Sequence, residues 1–325
     1  MFGVIEMLSK VPSVNGILSK KKKSWSTTLP FLLMMAPGIV VLIINNYLPM
    51  MGIIMAFQQY RFRDNFFVSV LNSNWVGFAN FQFIFNNPAL WETLRNTILY
   101  NLTFILLGMI VPVAAAIALN ELLNKRLAKF YQGVTFMPFF LSWIIISYVV
   151  FAIFQTSGAM NTMILTPLGL NTRDWYRTLG AWPFILTFFN LWRYTGYNLI
   201  FYLAALSGIS KEYYEAAMID GAKKHQQIWH ISLPHLRPII VILAILAVGR
   251  IFNSDFGMFF NLPMSRSTLF PVTEVLDTFI FRSMRGAVDL GRPVAASFFQ
   301  SVVGLITIIS VNFIVRKVEP NSALF

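Results

Sequence analysis

The tightest constraint on this chain is the spacing of its apolar residues. They come in blocks of about twenty, the length a helix needs to cross about 30 Å of hydrocarbon at about 1.5 Å per residue. The blocks fall at 29–57, 94–119, 130–154, 183–206, 239–260 and 295–315. Hydrophobic residues make up 57% of the 325 positions and charged residues 12%, against about 45–50% and about 25% in soluble domains. A soluble core does not absorb that excess, so the expectation is an all-α integral membrane protein with six transmembrane helices. Residues 29–315 form its membrane domain, with a basic N-terminal segment at 1–28 and a short tail at 316–325. Lys20 to Lys23 ahead of the first block superficially resemble a signal peptide. The run is too long for an h-region and lacks a small-residue cleavage site, so it reads as a retained span. Pro37 and Pro49 inside it predict a kink, or an end near Leu48.

Cytoplasmic loops retain more Lys and Arg than external ones. With the N-terminus inside, the inner segments 1–28, 120–130, 207–238 and 316–325 carry 14 of these residues, and the longer outer loops 58–93, 155–182 and 261–294 carry 8. Both termini are therefore expected in the cytoplasm. The formal net charge of +12 lies mainly in gaps between apolar blocks, with no basic helix interleaved with aromatics, which argues against nucleic acid as a partner. The absence of cysteine removes disulfides, thiolate metal sites and cysteine nucleophiles. His225, His230 and His235 recur every five residues. On a helix successive members lie about 140° apart, so they do not converge on a metal.

The inner loop 207–238 is more than a connector. Glu212 to Lys224 is rich in helix formers, with Tyr214, Ala217, Met218 and Gly221 along one side; Ile228, Trp229, Ile231 and Leu233 follow, ending at Pro234. Two short amphipathic pieces with a glycine between them suit insertion into a groove on another protein. Gly221 would allow the turn, and Pro234 would begin a new helix.

Glu215, Ala216, Ala217 and Gly221, followed after nine residues by Ile231, Leu233 and Pro234, fill every defined position of the pattern E-A-A-x(3)-G-x(9)-I-x-L-P. In this the chain resembles permease subunits of bacterial ATP-binding-cassette importers. The wider string from Ala216 through Asp220 to Ala222 looks like the carbohydrate-importing form. Two weaker likenesses to oligosaccharide and polysaccharide permeases are Pro37-Gly38 with Tyr47, Pro49, Met50 and Gly52, and the G-x-x-N-F of Gly77, Asn80 and Phe81. The resemblance implies a type I importer permease in the bacterial inner membrane, whose loop seats in a cleft of an ATPase, with Glu215 making the polar contact. It also implies a second, distinct permease, two ATPases that bind ATP and Mg, an external solute-binding protein and a carbohydrate substrate. No cofactor is expected on this chain, which has no G-x-x-x-x-G-K-[ST].

Polar groups inside a span are costly and mark a pathway by default. Asn190, Arg193, Tyr197 and Asn198 stand mid-way along the fourth block, with Tyr194 beside them; Arg250, Asn253, Ser254 and Asp255 stand in the fifth, the first three on one face of a helix. Interhelical hydrogen bonding is the competing reading for each. Two arginines against a single acid point to an anionic carbohydrate, an acidic polysaccharide such as alginate; carboxylates supplied by a second permease would cancel that inference. An importer of the same architecture for another solute is the alternative. An ion-coupled secondary transporter would leave the loop without a task, and no catalytic constellation supports an enzyme.

Overall fold

The structure, a computed structural model, describes residues 25–61, 65–285, 287 and 289–318. Residues 1–24 of the expected basic segment and 319–325 of the expected tail lie outside the described residues. Two compact units divide at Gly52. In the first, α1 (Trp25–Leu42) holds Pro30 and Pro37 within the helix and passes into a π turn at Ile43–Tyr47.

The second unit opens with a two-stranded ribbon, β1 (Gln58–Gln59) against β2 (Asn74–Trp75), around α2 (Phe66–Leu71), followed by α3 (Ala79–Asn86). Here the G-x-x-N-F residues act structurally. Gly77 has φ +56°, a left-handed conformation costly for other residues. Asn80 Nδ2 donates to the carbonyls of Ala56 (3.0 Å) and Gln58 (2.9 Å), and the Phe81 ring lies 5.4 Å from that of Phe57.

The bundle comprises α4 (Pro88–Asn120), α5 (Lys125–Phe136), α6 (Trp143–Phe154), α7 (Trp182–Ser207), α8 (Lys211–Ile219), α9 (Lys224–Val248), α10 (Phe256–Asn261), α11 (Leu276–Arg285) and α12 (Gly291–Val318). Four helical runs among the described residues, Leu29–Phe57, Pro88–Asn120, Lys224–Val248 and Gly291–Lys317, are long and apolar enough to cross a membrane. A fifth forms if the α5 and α6 pair, bent by 98°, counts as one span. The bend has a local cause. Pro138 closes a 3₁₀ turn at Met137–Phe140, Leu141 is extended, and the Ser142 hydroxyl caps α6 by accepting from Ile145 N at 3.3 Å.

The expected fourth span is a continuous helix, α7, of 26 residues, about 39 Å long. It falls outside that apolar set because Asn190, Arg193, Tyr194, Tyr197 and Asn198 interrupt it. The expected fifth span, 239–260, is not one helix: α9 stops at Val248 and the chain is unwound until Phe256.

Two apolar clusters grip α7. Ile185, Leu186 and Phe189 pack with Trp143, Ile146 and Val150 of α6 and Met258 and Phe259 of α10. Leu199, Tyr202 and Leu206 pack with Val113 and Ala116 of α4 and Leu236 of α9. The polar turns 190–198 lie between the two clusters. Gly196 lets α7 approach the end of α5, because an added Cβ would overlap the Thr135 carbonyl. Gly196→Ala should therefore cost about 1–3 kcal/mol through overpacking. Thermal unfolding of the detergent-solubilised protein measures this, with Gly304→Ala, where a Cβ meets nothing within 4 Å, as the neutral control.

Candidate functional site: a coupling loop and a polar cleft

The loop begins where the Ser210 hydroxyl caps α8 by accepting from Glu212 N at 3.3 Å. α8 ends at Ile219 with Asp220 as its cap, and Gly221 reverses the chain at φ +79° while Ala222 N donates to the Ala217 carbonyl at 2.8 Å. This is the glycine-terminated helix end expected from sequence.

The second half differs from expectation. Pro234 does not begin a new helix: α9 is continuous from Lys224 to Val248. A π turn at Ile228–Ser232 just ahead of Pro234 accommodates the missing N–H.

The motif residues divide by role. Glu215, Ala216, Asp220 and Gly221 are exposed, and among the described residues Glu215 makes no ion pair. Around them stand Tyr213, Met218, Ile219 and Trp229, with 57%, 53%, 87% and 65% of their surfaces exposed. Ala217 and Ile231 are half-buried, and Leu233 packs inward against the lower cluster, beside Leu206 and Leu236; the exposed Pro234 follows it. One half of the motif therefore offers a surface and the other fixes it to the bundle. Within the loop, Tyr214 Oη meets Ser232 Oγ (2.9 Å) and Gln227 Nε2 donates to the Ala222 carbonyl (3.2 Å), while an ion pair from Lys224 to Glu121 at the end of α4 (2.9 Å) ties the loop to the bundle. His230 and His235 each bond the carbonyl four residues earlier.

Above the loop, α4, α7, α9 and the unwound stretch enclose a cleft of about 370 Å³. Its polar wall is Asn101, Asn190, Tyr194, Asn198, Arg250, Asn253 and Asp255. Of the eight residues read as pathway candidates, five line it. Asn190 is also within 3.8 Å of the Met258 sulfur. Three stand elsewhere. Tyr197 stacks on Phe139 at 4.6 Å, and Ser254 turns its amide to Asp277 at 2.7 Å. Arg193 lies over the Trp143 ring at 4.4 Å, with its Nε and Nη1 buried and, among the described residues, without a hydrogen-bond partner.

Asp255 is the hub of the site. Its Oδ2 accepts from Trp143 Nε1 (2.6 Å) and Tyr194 Oη (2.7 Å), while Oδ1 caps α10 by accepting from Met258 N (3.2 Å). The carboxylate thus joins α6, α7 and α10, and among the described residues no arginine bonds it. In the adjoining non-spanning segment, burial pushes the Asp277 carboxyl above the usual carboxylate range, against the opposing pull of Ser254 N and Gln300. Sequence reasoning missed Asn101, Trp143, Asp277 and Gln300. The available signal was polarity inside or beside an apolar run, as at Asn101 within 94–119 and Gln300 within 295–315.

A family model described as "Binding-protein-dependent transport system inner membrane component" matches residues 111–321. The chain is 30% identical over 321 residues to protein LplB of Bacillus subtilis, spanning 96% of this chain and 95% of that one. It is equally similar, at 30% over 321 residues and 95% and 96% coverage, to the polygalacturonan/rhamnogalacturonan transport system permease protein YteP of the same organism. Among solved structures it resembles a chain of a bacterial ABC transporter involved in the import of the acidic polysaccharide alginate. The TM-score is 0.82 at 28% identity, covering 91% of this chain and 98% of that one. A second structure, of the bacterial alginate transporter in complex with an alginate pentasaccharide-bound periplasmic protein, matches with a TM-score of 0.81 at 28% identity, covering 91% and 97%. The match over most of the chain, together with a loop that presents one motif half outward, places this protein in the family of inner membrane components of binding-protein-dependent transport systems.

Proposed function

We propose that this chain forms half of the translocation path of an ATP-driven importer for an oligosaccharide derived from an acidic polysaccharide. Its partners are a second, distinct permease, two ATPase subunits that carry ATP and Mg, and an external solute-binding protein. The chain itself transmits force and catalyses nothing. It crosses the membrane six times, with α7 as the least apolar span and both termini in the cytoplasm; the Lys and Arg distribution supports that orientation.

The observation that carries the reading is the exposed face around Glu215, with Met218 and Ile219 uncovered, continuous through α7 and α9 with both walls of the cleft. An apolar rim around an unpaired carboxylate suits a groove on a partner. The ion pair from Lys224 to Glu121 and the continuous run of α9 allow a push on the loop to move the helices behind it.

For the substrate, the names of YteP and of the alginate transporter agree with the cleft's chemistry. Amide and phenol groups suit sugar hydroxyls, and Arg250 lines the cleft with no acid bonded to it among the described residues. A carboxylate on the sugar would pair with Arg250 there. With the complex in proteoliposomes, a labelled uronate oligosaccharide should be taken up, and Arg250→Ala should lower the rate about tenfold, the loss of about 1.4 kcal/mol, with assembly intact. A neutral oligosaccharide taken up equally well, and unaffected by Arg250→Ala, would refute the acidic-substrate reading.

A further inference from the structure

Between α9 and α10 the chain is unwound, and its freed backbone groups are taken up by side chains from other parts of the sequence. In a continuous helix the carbonyls of Ile251, Phe252 and Asn253 would accept from amides four residues on. Instead, Asn101 Nδ2 on α4 donates to the Ile251 carbonyl at 2.7 Å and lies 3.3 Å from the Asn253 carbonyl. Gln300 Nε2 on α12 donates to the Phe252 carbonyl at 2.6 Å. Ser254 N donates to Asp277 Oδ2 on α11 at 2.7 Å, and Gln300 Nε2 is 3.3 Å from Asp277 Oδ1. Three helices each bring one polar side chain to the same gap.

Orphaned backbone groups buried away from water are costly, so a break between helices persists only where neighbours satisfy it. The geometry also needs the gap. On a continuous helix Arg250 and Asp255, five residues apart, would point about 140° away from each other. Unwound, both line one cleft together with Asn253.

We propose that Asn101, Asp277 and Gln300 are positioning residues: they hold 249–255 out of helical form so that Arg250, Asn253 and Asp255 face the cleft together. The role in transport rests on the reading of the cleft as the substrate path. The clamp itself rests only on the hydrogen bonds above.

Gln300 provides the test, because it stands outside the cleft. Gln300→Met keeps the side chain's length and removes both donors. Asp277→Ala, which removes the acceptor for Ser254, is the second variant should the first fail to assemble. In the complete transporter in lipid nanodiscs, amide hydrogen exchange across 249–255 should accelerate at least tenfold while α7 is unchanged. In proteoliposomes, uptake should fall at least tenfold with basal ATP hydrolysis within about twofold of wild type. Unchanged exchange across 249–255 would overturn the clamp. Faster exchange with full uptake, where Arg250→Ala is impaired, would overturn the positioning role. Faster exchange with full uptake in both variants would leave the clamp standing and refute the reading of the cleft instead.

Discussion

Glu215→Lys is expected to abolish ATP-driven uptake and to prevent co-purification of the chain with its ATPase. Removing one member of an interfacial charged pair costs about 2–5 kcal/mol, and reversing the charge adds repulsion, so coupled transport should drop at least a hundredfold. Glu215 is exposed and makes no ion pair among the described residues. Its replacement should therefore leave the unfolding temperature of the isolated chain unchanged. That separation is the useful part of the experiment: a variant that folds and inserts normally but neither recovers the ATPase nor transports has lost docking alone. Normal coupled hydrolysis in Glu215→Lys would remove Glu215 from the interface.

The second large effect is expected at Asp255. Asp255→Ala deprives Trp143 Nε1 and Tyr194 Oη of their acceptor and α10 of its cap. Each orphaned donor costs about 1–3 kcal/mol, and a lost cap about 1 kcal/mol. Interhelical hydrogen bonds in membranes contribute toward the low end of such ranges, so about 3 kcal/mol is expected overall. Trp143→Phe removes one donor and leaves Tyr194 with its acceptor, and should cost about 1 kcal/mol. Denaturant unfolding in detergent of both variants measures the difference. If Asp255→Ala were as stable as Trp143→Phe, the hub would be a chance meeting of polar groups.

The parts of the molecule legible in the sequence are those fixed by local chemistry. Gly221 reads as a turn because only glycine adopts φ +79° without penalty. The helix formers from Glu212 up to that glycine point to α8 without reference to the rest of the chain. The motif around Glu215 stands out because its spacing is strict, but nothing in that spacing foretold that Leu233 would pack into the bundle while Glu215 and Ala216 stay uncovered.

What the sequence concealed depends on distant partners. Arg250, Asn253 and Ser254 read as one helical face because neither proline nor any strong breaker lies between Ile251 and Asp255. The unwinding becomes favourable only once Asn101 and Gln300, 150 and 48 residues from their acceptors, reach the same point in space. Proline misled in the opposite sense. Pro234 promised a helix start, and a π turn absorbed it inside a continuous helix, whereas Pro138, within an apolar run, stands at the break where α5 and α6 are bent by 98°. α7 lost apolar character to five polar residues, of which Asn190, Tyr194 and Asn198 wall the cleft.

The most direct measurement is uptake into proteoliposomes containing this chain, its partner permease and the ATPases, with loaded solute-binding protein outside. Accumulation that requires internal ATP and loaded binding protein, and that stops in Glu215→Lys, is the expected result. Accumulation driven by a proton or sodium gradient in vesicles lacking the ATPases would contradict the central claim that this chain is moved from its cytoplasmic loop.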